Sequence, residues 1–185
     1  MSYLTSLPAE STLLEVFRAY PDTARPLLEF HEQVMRHASP FSVAERELIA
    51  AYVSGLNACD YCHGVHTATA EAFGVPAGVL AASLADLDAA PIDERMKPVL
   101  RYVGTLTRTP SRVTAADTAA VYAAGWDERA LHDAALVCAL FNFMNRLVDG
   151  LGVRADPGYF EISARRLHDR GYAALAELLD VGTDG

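Results

Sequence analysis

The sequence predicts an all-α fold, a single-domain bundle of about eight helices. Three observations carry that expectation. Apolar residues recur at helical spacing along most of the chain. No stretch shows the alternation of a half-buried strand. Residues suited to opening or closing a helix stand at the ends of nearly every periodic run. The 185 residues suit one domain spanning 1–185 that can bury a core without staples.

Taken in order, Ser11 opens a first helix that Pro21 closes, and Asp22 and Thr23 start a second that ends near His37. Pro40 interrupts the chain. Ser42 and Glu45 then stand at capping-box spacing before a helix that runs to Gly55. Asn57 restarts a helix through Cys59, Cys62 and His66 to Gly74. Pro76 is placed as a first-turn proline of a short helix reaching about Leu84. Asp93 opens another to Thr107, and Thr114 with Asp117 opens the next, which Gly125 ends. Asp127 caps a long apolar helix, Glu128 to Gly150, with Trp126 packing at its start. A last helix is expected from Phe160 to Leu179, and the tail 182–185 is expected to fray.

Composition narrows the function classes. Hydrophobic residues make up 51% of the chain, which is a globular composition. The formal net charge of -9 lacks the electrostatic footprint of a nucleic-acid binder. Arg165 and Arg166 read as a solvated helix face. Met1 to Glu10 has neither the basic start nor the apolar segment of a secretory signal, and no apolar run approaches a membrane span. Three cysteines do not make a disulfide framework, so redox or metal chemistry in a cytoplasmic setting is expected. Cys138 reads as a small core residue. His31, His37, His132 and His168 lack partners at ligand spacing and read as structural or exposed.

The chemistry-bearing stretch is Glu47 to His66. Cys59, Cys62 and His66 stand at i, i+3 and i+7, which at about 100° per residue places them within roughly 60° of one another on a helix. Two thiols one turn apart can form a disulfide with little backbone movement. His66 lies one turn beyond Cys62 and can take its proton. A position in the first helical turns, an imidazole within reach and a second thiol all favour a thiolate. A thiolate can attack a peroxide oxygen to give a sulfenic acid, which the neighbouring thiol resolves to a disulfide. Glu47 lies twelve residues before Cys59. If the two helices form a hairpin around Gly55–Asn57, its carboxylate can orient His66. Ala51, Ser54 and Ala58 are small enough to let those helices approach. Position favours Cys59, the earlier and more exposed residue, as the attacking thiol; proximity to His66 favours Cys62. Cys59, Cys62, His66 and either His63 or Glu47 would supply four zinc ligands, but three on one helix is unusual for structural zinc, and no metal is expected.

The pattern Glu47, eleven residues, Cys59, two residues, Cys62, three residues, His66 resembles the active-site pattern of alkyl hydroperoxidase D, within the carboxymuconolactone decarboxylase superfamily. Downstream, Leu106 to Pro110, Val113-Thr114, Gly125, Phe141 to Leu147 and Gly150 to Val153 are similar to the peroxidase-related branch. The similarity covers most of the chain from about Phe41 to Val153, and more loosely the rest. It implies an all-helical fold and a catalytic group of Glu47, Cys59, Cys62 and His66, with Cys62 attacking and Cys59 resolving. It also implies a homo-oligomer, whether dimer, trimer or hexamer. Tyr61 departs from the family pattern, which has a histidine just before the second cysteine; a phenol with a pKa of about 10 shuttles protons poorly at neutral pH. Tyr61, His63, Asn142 and Asn145 are possible neighbours of the site.

The resulting expectation is a thiol peroxidase acting on a hydroperoxide substrate. It holds no bound cofactor, and a dithiol carrier protein or small thiol reduces it again. The rival readings are a lactone decarboxylase-type enzyme of the same superfamily, a non-catalytic zinc- or redox-sensing protein, and a general thiol–disulfide exchanger.

Overall fold

The computed structural model describes residues 2–179. Helices α1 (Leu13–Ala19), α2 (Pro21–Arg36), α3 (Val43–Leu56), α4 (Asp60–Ala72), α5 (Val79–Ala85) and α6 (Met96–Arg108) are followed by a short 3₁₀ turn. Then come α7 (Ala115–Ala123), α8 (Glu128–Gly150), α9 (Pro157–Arg170) and α10 (Ala173–Glu177). The described residues contain no strand, and ten α-helices in place of about eight.

Helix α3 is the axis of the molecule. Every residue from Arg46 to Ser54 is buried, and a helix buried all round belongs at the centre. Its start is fixed as the sequence predicts: the Ser42 backbone N–H donates to the Glu45 carboxylate at 2.7 Å, and the Glu45 N–H donates to the Ser42 hydroxyl at 3.2 Å. Helix α4 folds back along α3, α8 and α6 pack on α3, and α9 lies over α4. The α4–α9 contact is close because Gly64 has no side chain. A Cβ there would come within 2.3 Å of the Phe160 ring. Asp127 caps α8, accepting the Ala130 N–H at 2.8 Å. At the start of α8, Trp126 stacks on Phe41 and donates to the Arg95 carbonyl.

Several boundaries differ from the sequence reading, each for a local reason. Helix α1 begins after Thr12, which forms the capping box with Glu15, rather than at Ser11. Pro76 lies ahead of α5, whose N-cap is Gly78 at φ 82°. Asp93 folds its carboxylate onto the Arg95 N–H, and α6 starts only at Met96. The expected last helix splits into α9 and α10 at Gly171, φ 62°. There the Glu32 carboxylate takes the backbone N–H groups of Tyr172 and Ala173 at 2.7 and 3.2 Å. The expected frayed tail lies outside the described residues. Among the described residues no helix is long and apolar enough to cross a membrane.

Candidate active site

The site begins at the turn between α3 and α4. Ala58 adopts φ 54°, the left-handed region that glycine usually fills. The Ala58 N–H reaches the Gly55 carbonyl at 3.0 Å and the Cys59 N–H reaches the Ser54 carbonyl at 3.0 Å. This is the Schellman closure of a helix. It turns the chain so sharply that Cys59, the residue closing α3, is also the N-cap of α4. The sequence reading began α4 at Asn57; the left-handed Ala58 delays it to Asp60. Cys59 therefore stands at the positive end of the helix and Cys62 three residues inside it.

Both thiols are free and buried. The expectation that Cys59 is the more exposed does not hold: Cys59 is 0% exposed and Cys62 3%. The hydrogen bond from the Cys62 thiol, helped by the Cys62 backbone amide and opposed by burial, holds the Cys59 thiol below its ordinary value. The same contact, with burial and the adjacent Cys59 charge, raises Cys62 well above its own. The two sulfurs thus share protons as one unit, with the charge resting on Cys59.

One turn on, the His66 Nδ1 lies 2.7 Å from the Glu47 Oε2. Glu47 is fully buried, and its Oε1 forms an ion pair with Arg36 at 2.7 Å. Burial opposes the charge, but His66 and Arg36 outweigh it and hold the Glu47 carboxyl below its usual range. With Glu47 ionised, Nδ1 is the donor, and Nε2, on the opposite side of the ring, has no hydrogen-bond partner among the described residues.

Beside this group is an apolar cavity of about 70 Å³, enough for a few water-sized groups. Cys62 and His66 open onto it, whereas Cys59 does not. Leu13, Phe17, Leu28 and Phe141 supply much of its wall, and Tyr159 and Arg166 of α9 close it together with Tyr172, the residue preceding α10.

The predicted neighbours divide. Tyr61 lines the cavity, and its hydroxyl is paired with that of Tyr159 at 2.9 Å. Asn145 is buried, accepts from Asn57 at 2.8 Å, donates to Ser54 at 3.0 Å and stabilises the Cys62 thiolate. The Asn142 oxygen also accepts from Asn57, at 3.2 Å, while its amide nitrogen points toward Cys138 and Thr107. His63 turns back to the Ala51 carbonyl at 2.9 Å and does not line the cavity. Two residues read as structural or solvated belong to the cavity wall: His31, which is buried, and Arg166. Arg36 and Tyr172 carried no signal in the sequence. No local spacing links them to the cysteines, and only the packing of α2 and α10 brings them there. Among the described residues, no group of three or more His, Cys, Asp or Glu is arranged to hold a metal ion.

An all-helical fold with a buried thiol pair, an imidazole–carboxylate couple and an adjoining cavity defines a class of thiol-bearing helical proteins. Residues 21–103 match the carboxymuconolactone decarboxylase family. The fold is similar to that of an uncharacterized peroxidase-related protein from a Silicibacter species. That likeness has 24% identity, 80% of this chain and 78% of that chain covered, and a TM-score of 0.74. An uncharacterized peroxidase-related protein of Ralstonia eutropha, described as an alkylhydroperoxidase AhpD core, superposes equally well. There the identity is 24%, the coverage 81% and 78%, and the TM-score 0.74. A protein of unknown function from Agrobacterium tumefaciens, provisionally named for antioxidant defence, has 15% identity. It covers 79% of this chain and 100% of its own, with a TM-score of 0.69. No functionally curated protein matches the chain in sequence.

Proposed function

We propose that this protein is a thiol-dependent peroxidase that reduces hydroperoxides through Cys62 and Cys59, with His66 and Glu47 handling the proton. The observation that carries the reading is the placement of Cys62. It opens on an apolar cavity, touches a second thiol, and lies one turn from an imidazole that a buried carboxylate orients.

The thiol pair loses one proton, which His66 holds against the Glu47 charge. The resting thiolate lies on Cys59, and a proton shift from Cys62 to Cys59 moves it to the sulfur facing the cavity. That thiolate attacks the terminal peroxide oxygen, forming an S–O bond and breaking O–O. The alkoxide released takes the proton held by His66 and leaves as alcohol. The Cys59 thiol then attacks the Cys62 sulfenic acid, giving a disulfide and water. Two thiols and one hydroperoxide thus become a disulfide, an alcohol and water. An external dithiol, on a carrier protein or a small thiol, restores the pair. The apolar wall favours a small organic hydroperoxide over a charged one. The protein works in the cytoplasm and as a homo-oligomer; exposed apolar side chains such as Phe30, Phe143 and Ile162 support the second of these.

A decarboxylase reading has the family's name in its favour, but that chemistry makes no use of a second thiol. The deciding experiment adds one equivalent of ethyl hydroperoxide to the reduced protein. Loss of two thiols per chain supports the peroxidase. Unchanged thiols, together with turnover of a carboxylated lactone that survives Cys62→Ser, would replace it with the decarboxylase.

A further inference from the structure

The cavity wall contains a polar group that the chemistry above leaves unused. Tyr172 is 4% exposed and lines the cavity, and its hydroxyl is buried without a hydrogen-bond partner among the described residues. An orphaned hydroxyl costs roughly 1–3 kcal/mol, so its retention in an apolar interior points to a bound species that uses it.

The ring is held in place. The Tyr172 backbone N–H is anchored on the Glu32 carboxylate at 2.7 Å, just after the Gly171 break. The Arg36 guanidinium lies over the ring at 5.0 Å, and the His31 ring packs on it at 5.1 Å. The phenol is close enough to Glu47 and Cys62 to feel their charges. Burial first, and then the Glu47 charge, push it well above its ordinary value. It therefore remains an O–H donor wherever the thiol pair is active.

We propose that Tyr172 is a catalytic hydrogen-bond donor that stabilises the leaving oxygen of the hydroperoxide as Cys62 attacks. The inference rests on the peroxidase reading. As the S–O bond forms and the O–O bond breaks, the electron pair collects on the departing oxygen, an alkoxide that an apolar cavity solvates poorly. A fixed donor aimed at developing charge is the arrangement that lowers such a barrier most. Tyr172 supplies the hydrogen bond, and the proton that completes the alcohol is the one held by His66.

The test uses Tyr172→Phe in the full-length reduced protein, with three reagents of similar size. Ethyl hydroperoxide releases a basic alkoxide, peracetic acid releases a stable carboxylate, and iodoacetamide releases iodide. Removing one such donor is expected to slow oxidation by ethyl hydroperoxide roughly 100-fold. Oxidation by peracetic acid should slow far less, and alkylation by iodoacetamide should be unchanged. The melting temperature should hold or rise, because the variant deletes a buried hydroxyl that has no partner. An equal loss with all three reagents, or a lowered melting temperature, would make Tyr172 a packing residue and overturn the proposal. So would an unchanged rate with ethyl hydroperoxide. Wild-type protein that keeps its thiols against ethyl hydroperoxide overturns the peroxidase reading, and this proposal with it.

Discussion

Glu47 and His66, nineteen residues apart in sequence, meet at 2.7 Å in the interior, and the other carboxylate oxygen of Glu47 is paired with Arg36 at 2.7 Å. One buried anion therefore serves a cation on α2 and an imidazole on α4. Glu47→Gln keeps the shape and removes the charge. It leaves the Arg36 guanidinium, whose side chain is 11% exposed, with backbone carbonyls but without its anion, and breaking such a buried pair costs about 3 kcal/mol. It also releases the His66 tautomer, so oxidation of the thiols by hydroperoxide should slow by roughly 100-fold or more. Urea unfolding and stopped-flow thiol loss measure the two effects. A variant that loses neither stability nor rate contradicts the role given to Glu47.

Stability should depend on pH through His31. Burial first, then the His66 charge, lower its imidazole from 6.5 to about 4, although the Leu27 carbonyl opposes the shift. The unfolded chain takes up this proton near pH 6.5, whereas the folded chain refuses it until about pH 4. The stabilisation is therefore complete above the upper value and is lost as pH falls across the window, by on the order of 3 kcal/mol. Glu47 adds a second loss at lower pH. Its depressed carboxyl stabilises the fold above the unfolded carboxylate value and ceases to as pH falls through the folded one. Urea midpoints should decline in the wild type from pH 6.5 to 4 and stay nearly level in His31→Phe. Parallel declines in both proteins would remove His31 as the cause.

Ala58 holds a left-handed conformation at φ 54°, which costs a residue with a Cβ about 1–2 kcal/mol. Glycine removes that strain but adds freedom to the unfolded chain. Ala58→Gly should therefore stabilise the protein by up to about 1 kcal/mol while leaving thiol reactivity alone, since the turn it favours is the one already present. Thermal melting tests the first half and iodoacetamide alkylation the second. A lower melting temperature would contradict the Schellman geometry.

At Gly64 an added Cβ would meet the Phe160 ring at 2.3 Å, so that ring, or α9 carrying it, has to shift. Gly64→Ala should destabilise by about 1–3 kcal/mol. Because α9 walls the cavity through Tyr159 and Arg166, its displacement should also speed alkylation of Cys62. Stability and access are expected to change together; an unchanged alkylation rate would show that α9 does not control entry.

Much of this was legible before any coordinates, because the signals are local. Ser42 with Glu45, Thr114 with Asp117, and Asp127 mark helix starts by their spacing. Glu47, Cys59, Cys62 and His66 lie on two consecutive helices, so a hairpin suffices to join them. Where the reading failed, the cause was not in the neighbouring residues. Alanine gives no hint of a left-handed turn, so Ala58 hid the late start of α4 and the N-cap position of Cys59. Nothing near Gly171 announces that Glu32 captures the next two amides and splits the last helix. His31 and Tyr172 reach the cavity from α2 and from the residue preceding α10, Arg36 reaches Glu47 from α2, and contacts of that separation leave no periodicity to read.

In the proposed mechanism Cys62, the thiol facing the cavity, is the one oxidised first. The direct measurement treats Cys59→Ser and Cys62→Ser separately with one equivalent of ethyl hydroperoxide and traps sulfenate with a dimedone-type reagent, read by intact mass. One trapped sulfenate per chain is expected in Cys59→Ser and none in Cys62→Ser. Trapping in Cys62→Ser alone would make Cys59 the attacking thiol, and trapping in neither would contradict the peroxidase itself.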